Sequence, residues 1–519
     1  MPDGVVLVGM PASGKSTVGR LVAERLGRPF VDTDELVEHR LGMPVPAYLE
    51  RHGEPAFRAA EADAVAEACV LPGAVIGAGG GAVLDPLNRW ALWHHGTVAW
   101  LDVPPDTLVA RLEADDVDRP TFRPYDVDRL AAVLGDRAPA YRAADHRLDA
   151  THSPSQIADE LVAGLRPSQS RRLFDADVAR HHPIGPARAH IVMGVDVVGL
   201  APDGVAVIDR RLLKAAPDLV ARIGAGACLP VAAGERAKRL RTLERILEWL
   251  AAERVERGTP LVAVGGGTIG DLAGTAAALF ARGLPLVHLP TTWLAQADSA
   301  IGGKVAVDLG HAKNAVGAFW PPVAVVSDVA ALRSLPIRLR RDGMAESIKA
   351  ALIGDAVLWR LLEERGAKAL QTDEPARYAI IERSARLKLA VCERDPFEAG
   401  ERRTLNLGHT IGHALEIESR YRLTHGAAVA LGLRAVTAIA GARGGDSELA
   451  PRLDALLDRL GFTLRRSFDA DAVRAAMLGD KKRSVGRQRW ILPMEVGRVI
   501  EVDDVTDAEL ALGLRTIGA

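Results

Sequence analysis

Lysine, cysteine and aromatic residues are scarce in this chain. Its 519 residues include only 10 lysines among 65 basic residues, three cysteines, and 4% aromatics. Cys69, Cys228 and Cys392 lie far apart and form no CxxC pair. That excludes a disulfide framework and a thiolate zinc site, and free buried thiols in a reducing cytosol are the expectation. No sign of charge dominates: the net charge is -2 and the sequence pI about 6.7. No global field therefore pulls the protein to nucleic acid or to anionic lipid. No apolar run approaches the roughly 18 residues of a bilayer span. The N-terminus enters "GVVLVG" without a charged n-region and cleavage site, so no secretory leader and a cytoplasmic location are expected. With 48% hydrophobic and 25% charged residues, the chain has the material for two to four globular domains.

Residues 1–166 alternate strand-like runs ("VVLVG", "AVIGAG", "TVAWLDV") with helical stretches, the pattern of a parallel α/β domain. A polar, proline-bearing linker over 167–172 precedes a second α/β segment, 173–337, with strands at "GVAVIDR", "PLVAVGGG", "LVHLPTT" and "AVVSDV". Over 338–519 the strands thin out and long helical periodicities take over, ending in a mixed tail with "RWILPMEVGRVIEV". No internal repeat is present. The shift from α/β to mostly α predicts a second unit of two lobes with a cleft between them.

The first lysine, Lys15, sits in "GMPASGKS", which fits G-x-x-x-x-G-K-[ST], follows an apolar strand and opens a helix. Glycines let backbone N–H groups turn toward phosphate oxygens, and the helix N-terminus adds its dipole. A compact ammonium on a flexible stem can follow the β- and γ-phosphates. Gly9, Ala12, Ser13, Gly14, Lys15, Ser16 and Thr17 are the candidate ATP contacts, with Ser16 offering its hydroxyl to Mg²⁺. Asp32 and Asp34 in "FVDTDELVE" are placed at the end of the next strand. Their i, i+2 spacing suits one carboxylate near Mg²⁺ and one on a substrate hydroxyl, and suits a helix N-cap equally well.

Together with Arg58, the triple glycine Gly79, Gly80, Gly81, Arg119 and Arg137, these motifs make residues 1–165 resemble the shikimate kinase family. The resemblance implies that Asp34 holds the shikimate ring hydroxyls and that Arg58 and Arg137 hold its carboxylate. It implies that Gly79–Gly81 approach the ring through backbone amides, that Asp32 lies in the Mg²⁺ shell, and that Arg119 belongs to a lid over ATP. Two arginines on one carboxylate give strong, oriented recognition of an acid.

Seven of the remaining nine lysines also fall inside motif-like stretches: Lys238, Lys304, Lys313, Lys349, Lys388, Lys481 and Lys482. Only Lys214 and Lys368 read as ordinary surface residues. Such a concentration points to sites that need a point-charge donor for phosphate or carboxylate. "VAVGGGTIGDLAG" reads as strand, glycine turn and helix start, suited to a pyrophosphate or simply to a turn. In "LNLGHTIGHALE", His409 and His413 are i, i+4 and share a helix face; His425 follows, and Glu346 in "GMAESIK" is a candidate carboxylate. Two or three imidazoles with one carboxylate form a catalytic zinc set with a position left for substrate. Spacing alone makes both His409 and His413 ligands.

"GGGTIGDLAG", "LPTTWLAQADSAIGGK", "KNAVGAF", "GMAESIK", "ERDPFEAGERRTLNLGHTIGHALE" and "DKK", in that order, make residues 172–519 resemble the 3-dehydroquinate synthase family. The resemblance implies zinc on Glu346, His409 and His425, with His413 left over the substrate as an acid/base residue. It implies that Arg282, Asp298, Lys304, Lys349, Lys388, Arg402, Asn406 and Lys481 or Lys482 bind the heptulosonate phosphate, Arg282 coming from a neighbouring subunit or lobe. Glu398 helps to shape that site. Asp209, Glu235, Lys238, Gly265, Gly266, Gly267, Asp271, Thr291, Thr292, Lys304, Lys313 and Asn314 are implied on the NAD side. The implied chemistry is oxidation of a zinc-bound carbinol by NAD, elimination of phosphate, return of the hydride, and an intramolecular aldol closure.

The fold expected is therefore a P-loop kinase domain, a parallel sheet with flanking helices, followed by a two-lobed synthase unit. That unit has an α/β nucleotide-binding lobe and a mostly α-helical metal-binding lobe. The expected cofactors are ATP with Mg²⁺ for the first half, and NAD with Zn²⁺ or Co²⁺ for the second. Small-molecule substrates and a homodimer through the second half are expected, with no nucleic-acid or membrane partner. Two departures stand out. The family has a glutamate after "HG" where this chain has Ala427, and the stretch between "VIDRR" and "AAGERAK" is shorter than usual. Three other readings of the second half follow: a sedoheptulose 7-phosphate cyclase, an NADH-releasing alcohol dehydrogenase, or a non-catalytic module. Retention of Arg402, Asn406 and the "DKK" lysines favours the synthase over the cyclase, whose substrate lacks the carboxylate.

Overall fold

The structure is a computed structural model that describes residues 4–114, 123, 125–166, 170–179, 188–310, 312–481 and 488–518. The chain divides into two compact units, 1–177 with 191–197, and 178–190 with 198–519.

In the first unit β1 (Gly4–Val8) is fully buried and runs into the P-loop, which ends as α1 (Lys15–Leu26) begins. Gly14 caps that helix at φ 94°, a left-handed conformation open to glycine at little cost. Then follow β2 (Phe30–Asp32), α2 (Thr33–Leu41), α3 (Val45–Val70), β3 (Val75–Gly77), α4 (Pro86–His95) and β4 (Gly96–Asp102). Next come α5 (Pro105–Ala114), α6 (Val127–Tyr141), β5 (His146–Asp149) and α7 (Pro154–Gly164). The sheet order is β2-β3-β1-β4-β5, all parallel, as the alternating pattern predicts. The P-loop, Asp32 and the Gly79–Gly81 turn leave the carboxyl ends of neighbouring strands, where open α/β sheets bind ligands. α3 is broken at Gly53 (φ 79°), two residues before Pro55, so the stretch carrying Arg58 takes its own direction. Asp34 differs from its expected place: the strand stops at Asp32, which N-caps α2, and Asp34 lies in the first helical turn.

The division between the units passes through β6 (Arg171–Ala179) and β7 (Arg188–Val195), so strand structure begins where a linker was expected. In the second unit β8 (Gly204–Asp209), β9 (Ala225–Val231), β10 (Leu261–Gly265), β11 (Leu286–Pro290) and β14 (Ala324–Asp328) form a parallel run, β14-β11-β10-β8-β9. Four of these match the strands read from sequence; β9 was not visible there. The antiparallel hairpin of β12 (Lys304–Leu309) and β13 (Ala312–Phe319) was not visible either, because Lys304, Asn314 and the intervening glycine break the alternation. α10 (Leu240–Ala252) and α11 (Gly267–Leu279) pack on the sheet through Leu243, Ile246, Leu250, Ile269 and Leu272.

The helical region holds α12 (Ile337–Gly354), α13 (Ala356–Gln371), α14 (Glu374–Arg394), α15 (His409–Glu418) and α16 (His425–Ala442). It closes with α17 (Leu449–Arg459), α18 (Ala470–Lys481), the hairpin β15 (Trp490–Glu495) and β16 (Arg498–Val502), and α19 (Asp507–Ile517). One expectation is corrected by α16: its 18 residues have mean hydropathy 1.3, long and apolar enough for a bilayer span. Two thirds of it is buried inside the unit, as in a core helix that is apolar all round. The buried-thiol expectation is corrected at Cys228, which is exposed on β9, an outer strand of the parallel run.

Candidate functional sites

In the first unit Lys15 folds back onto its own loop, donating to Gly9 O (3.0 Å) and Met10 O (2.9 Å). Ala12 is held at φ 63°, a strained angle for alanine. Ser16 Oγ donates to Asp32 Oδ2 at 2.6 Å, while Asp32 Oδ1 accepts from the Asp34 amide. One carboxylate thus does both jobs that the sequence had left as alternatives: it caps α2 and faces the P-loop hydroxyl. Arg111, not singled out in the sequence, donates to Ala12 O and Ala150 O and braces the loop from α5.

Beside the loop, Asp34, Arg58, Arg137 and Gly79–Gly81 converge. A Cβ at Gly79 would lie 2.4 Å from Asp34 Oδ1, and one at Gly81 would lie 2.6 Å from Arg58 Nη1. A side chain at either position would therefore push Asp34 or Arg58 aside. Arg137, buried in α6, donates to Gly80 O (2.9 Å), and the Tyr141 hydroxyl donates to the same oxygen (2.7 Å). Arg58 pairs with Glu54 (3.1 Å) and with buried Glu61 (2.8 Å). Burial raises the Glu61 carboxyl even though Arg58 opposes the shift. Thr33 accepts from the Gly79 amide at 2.7 Å. Sequence reasoning missed Glu61, Tyr141 and Thr33, of which only Glu61, one turn beyond Arg58, had a signal in its spacing. Arg119 lies outside the described residues.

In the second unit three elements meet around Glu346. This residue sits in the buried middle of α12, His409 opens α15, and His425 opens α16. Glu346 Oε1 lies 3.1 Å from His425 Nε2 and 3.4 Å from His409 Nε2, and one donor atom from each falls within 4.8 Å of the others. Two imidazole nitrogens and a carboxylate oxygen converging on one point form a set that zinc accepts. Burial pushes Glu346 up, but Lys349, His409 and His425 overcome it and hold the carboxyl well below its usual range. His413, one turn beyond His409 with ring centroids 5.2 Å apart, is exposed to solvent. The i, i+4 pair is therefore split between this centre and the open side, which the shared helix face could not tell. Glu416 and His413 form a second group around the other edge of His425.

Next to this centre lies a chain of ion pairs, buried at Glu346 and Lys349 and open to solvent at Lys304. Lys349 contacts Glu346 and reaches Asp298 at 3.7 Å, and Lys388 holds Asp298 Oδ2 at 2.8 Å. Burial raises the Asp298 carboxyl, and the two lysines bring it below its ordinary value. Lys304 pairs with Glu398, which also accepts from Asn406 Nδ2 at 2.8 Å. Burial raises the Glu398 carboxyl, and Lys304 and Asn406 lower it further than burial lifts it. Glu398 takes φ 61°, unusual for its residue type. Arg402 is buried, donating to Gly302 O (2.8 Å) and Pro396 O (2.5 Å).

On the nucleotide side Gly266 packs where a Cβ would lie 2.9 Å from Thr292, and the Thr291 amide donates to Gly265 O. Gly267 opens α11. Lys238 bridges Asp271 (2.5 Å) and Asn314, and Lys313 pairs with Glu235 at 3.0 Å. Asp209 is buried and engaged by Arg211 at 2.8 Å. Arg282 is exposed in a short turn at φ 63°. Lys482 lies outside the described residues, as does the side chain of Lys481, the last residue of α18. Lys214 and Lys368 are exposed, as expected.

The first unit is thus a P-loop phosphotransferase fold, and the second is a parallel α/β sheet joined to a helical region built around a histidine–carboxylate centre. The family model "Shikimate kinase" matches residues 11–166, and "3-dehydroquinate synthase N-terminal" and "C-terminal" match 228–342 and 343–483. A 3-dehydroquinate synthase from Xanthomonas campestris is 39% identical over 342 residues, 64% of this chain and 90% of that protein. A 2-epi-valiolone synthase from Actinosynnema mirum is 39% identical over 291 residues, 55% and 76% of the two chains. The solved structure of ValA, a 2-epi-5-epi-valiolone synthase from Streptomyces hygroscopicus with NAD+ and Zn2+ bound, aligns with TM-score 0.60 at 27% identity. That alignment covers 65% of this chain and 98% of ValA. The chain belongs to the 3-dehydroquinate synthase family through its second part and carries a shikimate kinase family domain ahead of it. It is a two-enzyme fusion, a kinase and a lyase of the shikimate pathway.

Proposed function

We propose that the first unit phosphorylates the 3-hydroxyl of shikimate with ATP and Mg²⁺. The second would convert 3-deoxy-D-arabino-heptulosonate 7-phosphate to 3-dehydroquinate and phosphate. For the kinase, the supporting observation is the convergence of Arg58, Arg137 and Asp34 on the glycine turn beside the P-loop. Two guanidinium groups can hold a carboxylate, Asp34 can accept from ring hydroxyls, and Lys15, which donates to carbonyls of its own loop, can turn to a γ-phosphate.

In the second unit Glu346, His409 and His425 would hold zinc, and the Gly265–Gly267 turn with Lys238, Asp271, Lys313 and Asn314 would face NAD. When bound, these groups supply a Lewis acid and a reversible hydride acceptor. The chain's own residues orient the substrate. Lys349 and Lys388 offer ammonium groups to its oxygens, and His413 stands open to solvent on α15 where it can exchange a proton. Arg402, held by two carbonyls, would offer its cation to a substrate carboxylate. That last observation favours the heptulosonate over sedoheptulose 7-phosphate, which has no carboxylate to meet Arg402. The likeness to 2-epi-valiolone synthases supports the second reading.

Purified protein given each sugar phosphate with NAD and zinc decides between them. Stoichiometric phosphate and dehydroquinate from the heptulosonate, without NADH build-up, carries the proposal; phosphate from sedoheptulose 7-phosphate alone overturns it. We also infer a homodimer through the second unit, with Arg282 reaching a neighbouring site. Light scattering of the full chain and of Arg282→Ala, with activity measured on mixed variants, tests this.

A further inference from the structure

The two candidate histidine ligands are held in different ways. His409 Nδ1 faces the Leu407 carbonyl oxygen at 3.1 Å, a neutral acceptor and one of the usual partners of a ligating imidazole. His425 Nδ1 instead faces a carboxylate, Glu416 Oε1, at 3.3 Å. Its opposite nitrogen, Nε2, points at Glu346. Glu416 is the last-turn acid of α15 and is buried; its other oxygen, Oε2, lies 3.6 Å from Lys313 Nζ. Lys313 in turn pairs with Glu235 and sits 4.5 Å over the Tyr421 ring.

We propose that Glu416 is the positioning residue of His425: by accepting the Nδ1 proton it fixes Nε2 as the lone-pair donor and so sets how tightly the centre holds a divalent cation. This deepens the metal-centre reading and rests on it. A carboxylate partner makes an imidazole a stronger donor than a carbonyl does, so His425 is the better-activated of the two ligands. Ala427, two residues after His425, brings no carboxylate of its own, and its amide donates to Asp342 Oδ1 at 3.2 Å. Among the described residues, Glu416 is the carboxylate at hydrogen-bond distance from His425 Nδ1. The charge next to His425 therefore comes from the neighbouring helix. Because Glu416 shares Lys313 with Glu235, the same carboxylate joins the histidine centre to the nucleotide-side segment.

The test uses the full-length protein, wild type, Glu416→Ala and Glu416→Gln, with zinc affinity measured by chelator competition and the visible spectrum recorded after cobalt substitution. Glu416→Ala is expected to weaken zinc binding about 10- to 100-fold, the usual effect of losing such a partner, and to shift the cobalt bands. Glu416→Gln keeps an acceptor oxygen and loses the charge, so its affinity should fall between the other two. Equal phosphoryl transfer by the first unit and equal metal-free melting curves show that the variants are folded. Should Glu416→Ala bind zinc as wild type does, the proposal fails while the metal centre stands. Two metals per wild-type chain, one of them lost in Glu416→Ala, would make Glu416 a ligand and overturn it as well. A wild-type protein that takes up no zinc removes the metal-centre reading and the proposal together.

Discussion

Both units gather cations for anionic substrates, but they hold those cations differently. In the first, Lys15 and Arg137 rest on carbonyl oxygens of Gly9, Met10 and Gly80. A carbonyl carries no formal charge, so these hydrogen bonds do not themselves cancel the pull on phosphate and acid. In the second, Lys349, Lys388, Lys304, Lys238 and Lys313 each rest on a carboxylate: Glu346, Asp298, Glu398, Asp271 and Glu235. Those charges lock one another in place. Truncating Glu346 there strands the buried Lys349 charge, which costs about 3–5 kcal/mol, and truncating Arg58 in the first site would do the same to buried Glu61, whereas a change at Lys15 should act mainly on binding and chemistry.

The sharpest test is Glu346→Ala, which removes a candidate ligand and strands buried Lys349. Zinc content and phosphate release should fall at least about 10³-fold, with unfolding of the second unit about 3–5 kcal/mol easier. Phosphoryl transfer by the same protein should persist; losing it would break the contrast. Lys15→Met comes next. It should cost phosphoryl transfer about 10²–10³-fold with little change in the thermal midpoint, because the hydrogen bonds to Gly9 and Met10 join an ammonium to neutral backbone oxygens.

A pH series gives a third handle, specific to the second unit. His288 is buried on β11 beside Gly270, and burial pulls its imidazole down to about 4. Between pH 6.5 and 4 the unfolded chain takes a proton that the folded one refuses, so stability falls as pH falls through that window. The limit is roughly 3 kcal/mol for this shift. Urea midpoints at pH 7, 5 and 4 should show this slope in wild type and a flatter one in His288→Leu. The smallest expected effect is Gly81→Ala: the new methyl would displace the Arg58 guanidinium, raising KM for shikimate about tenfold with kcat near wild type. A loss of kcat instead would mean that Arg58 acts on the transferring group.

Much of this was legible in the chain before any coordinates. The P-loop reads out because its chemistry fixes both residue type and spacing, and the rarity of lysine marked the ion-pair chain of the second unit. What stayed hidden depends on contacts between segments. Glu61, Thr33 and Tyr141 meet their partners only when α2, α3 and α6 pack around the glycine turn. Glu416 stood in the quoted "HTIGHALE", yet nothing on its own helix shows that His425 of the next helix will face it. The Asp32 and Asp34 pair misled for a local reason, since a three-residue strand followed at once by a capped helix leaves no second strand position. The β12–β13 hairpin escaped because its site residues displace the alternation that announces a strand. Strain marks such places: Ala12, Arg282, Asn314 and Glu398 are four of the nine non-glycine residues at positive φ among the described residues.

The near-absence of lysine from the surface also gives the protein an unusual chemical profile. Acylating reagents and metabolic acyl donors attack amines, and here few amines are available outside the two sites: Lys214 and Lys368 are open to solvent, while Lys349 is buried and Lys238, Lys313 and Lys388 are engaged by carboxylates. Acylation beyond the first two groups would therefore be inactivation, and its protection by a bound ligand would report, lysine by lysine, which of the two sites that ligand occupies.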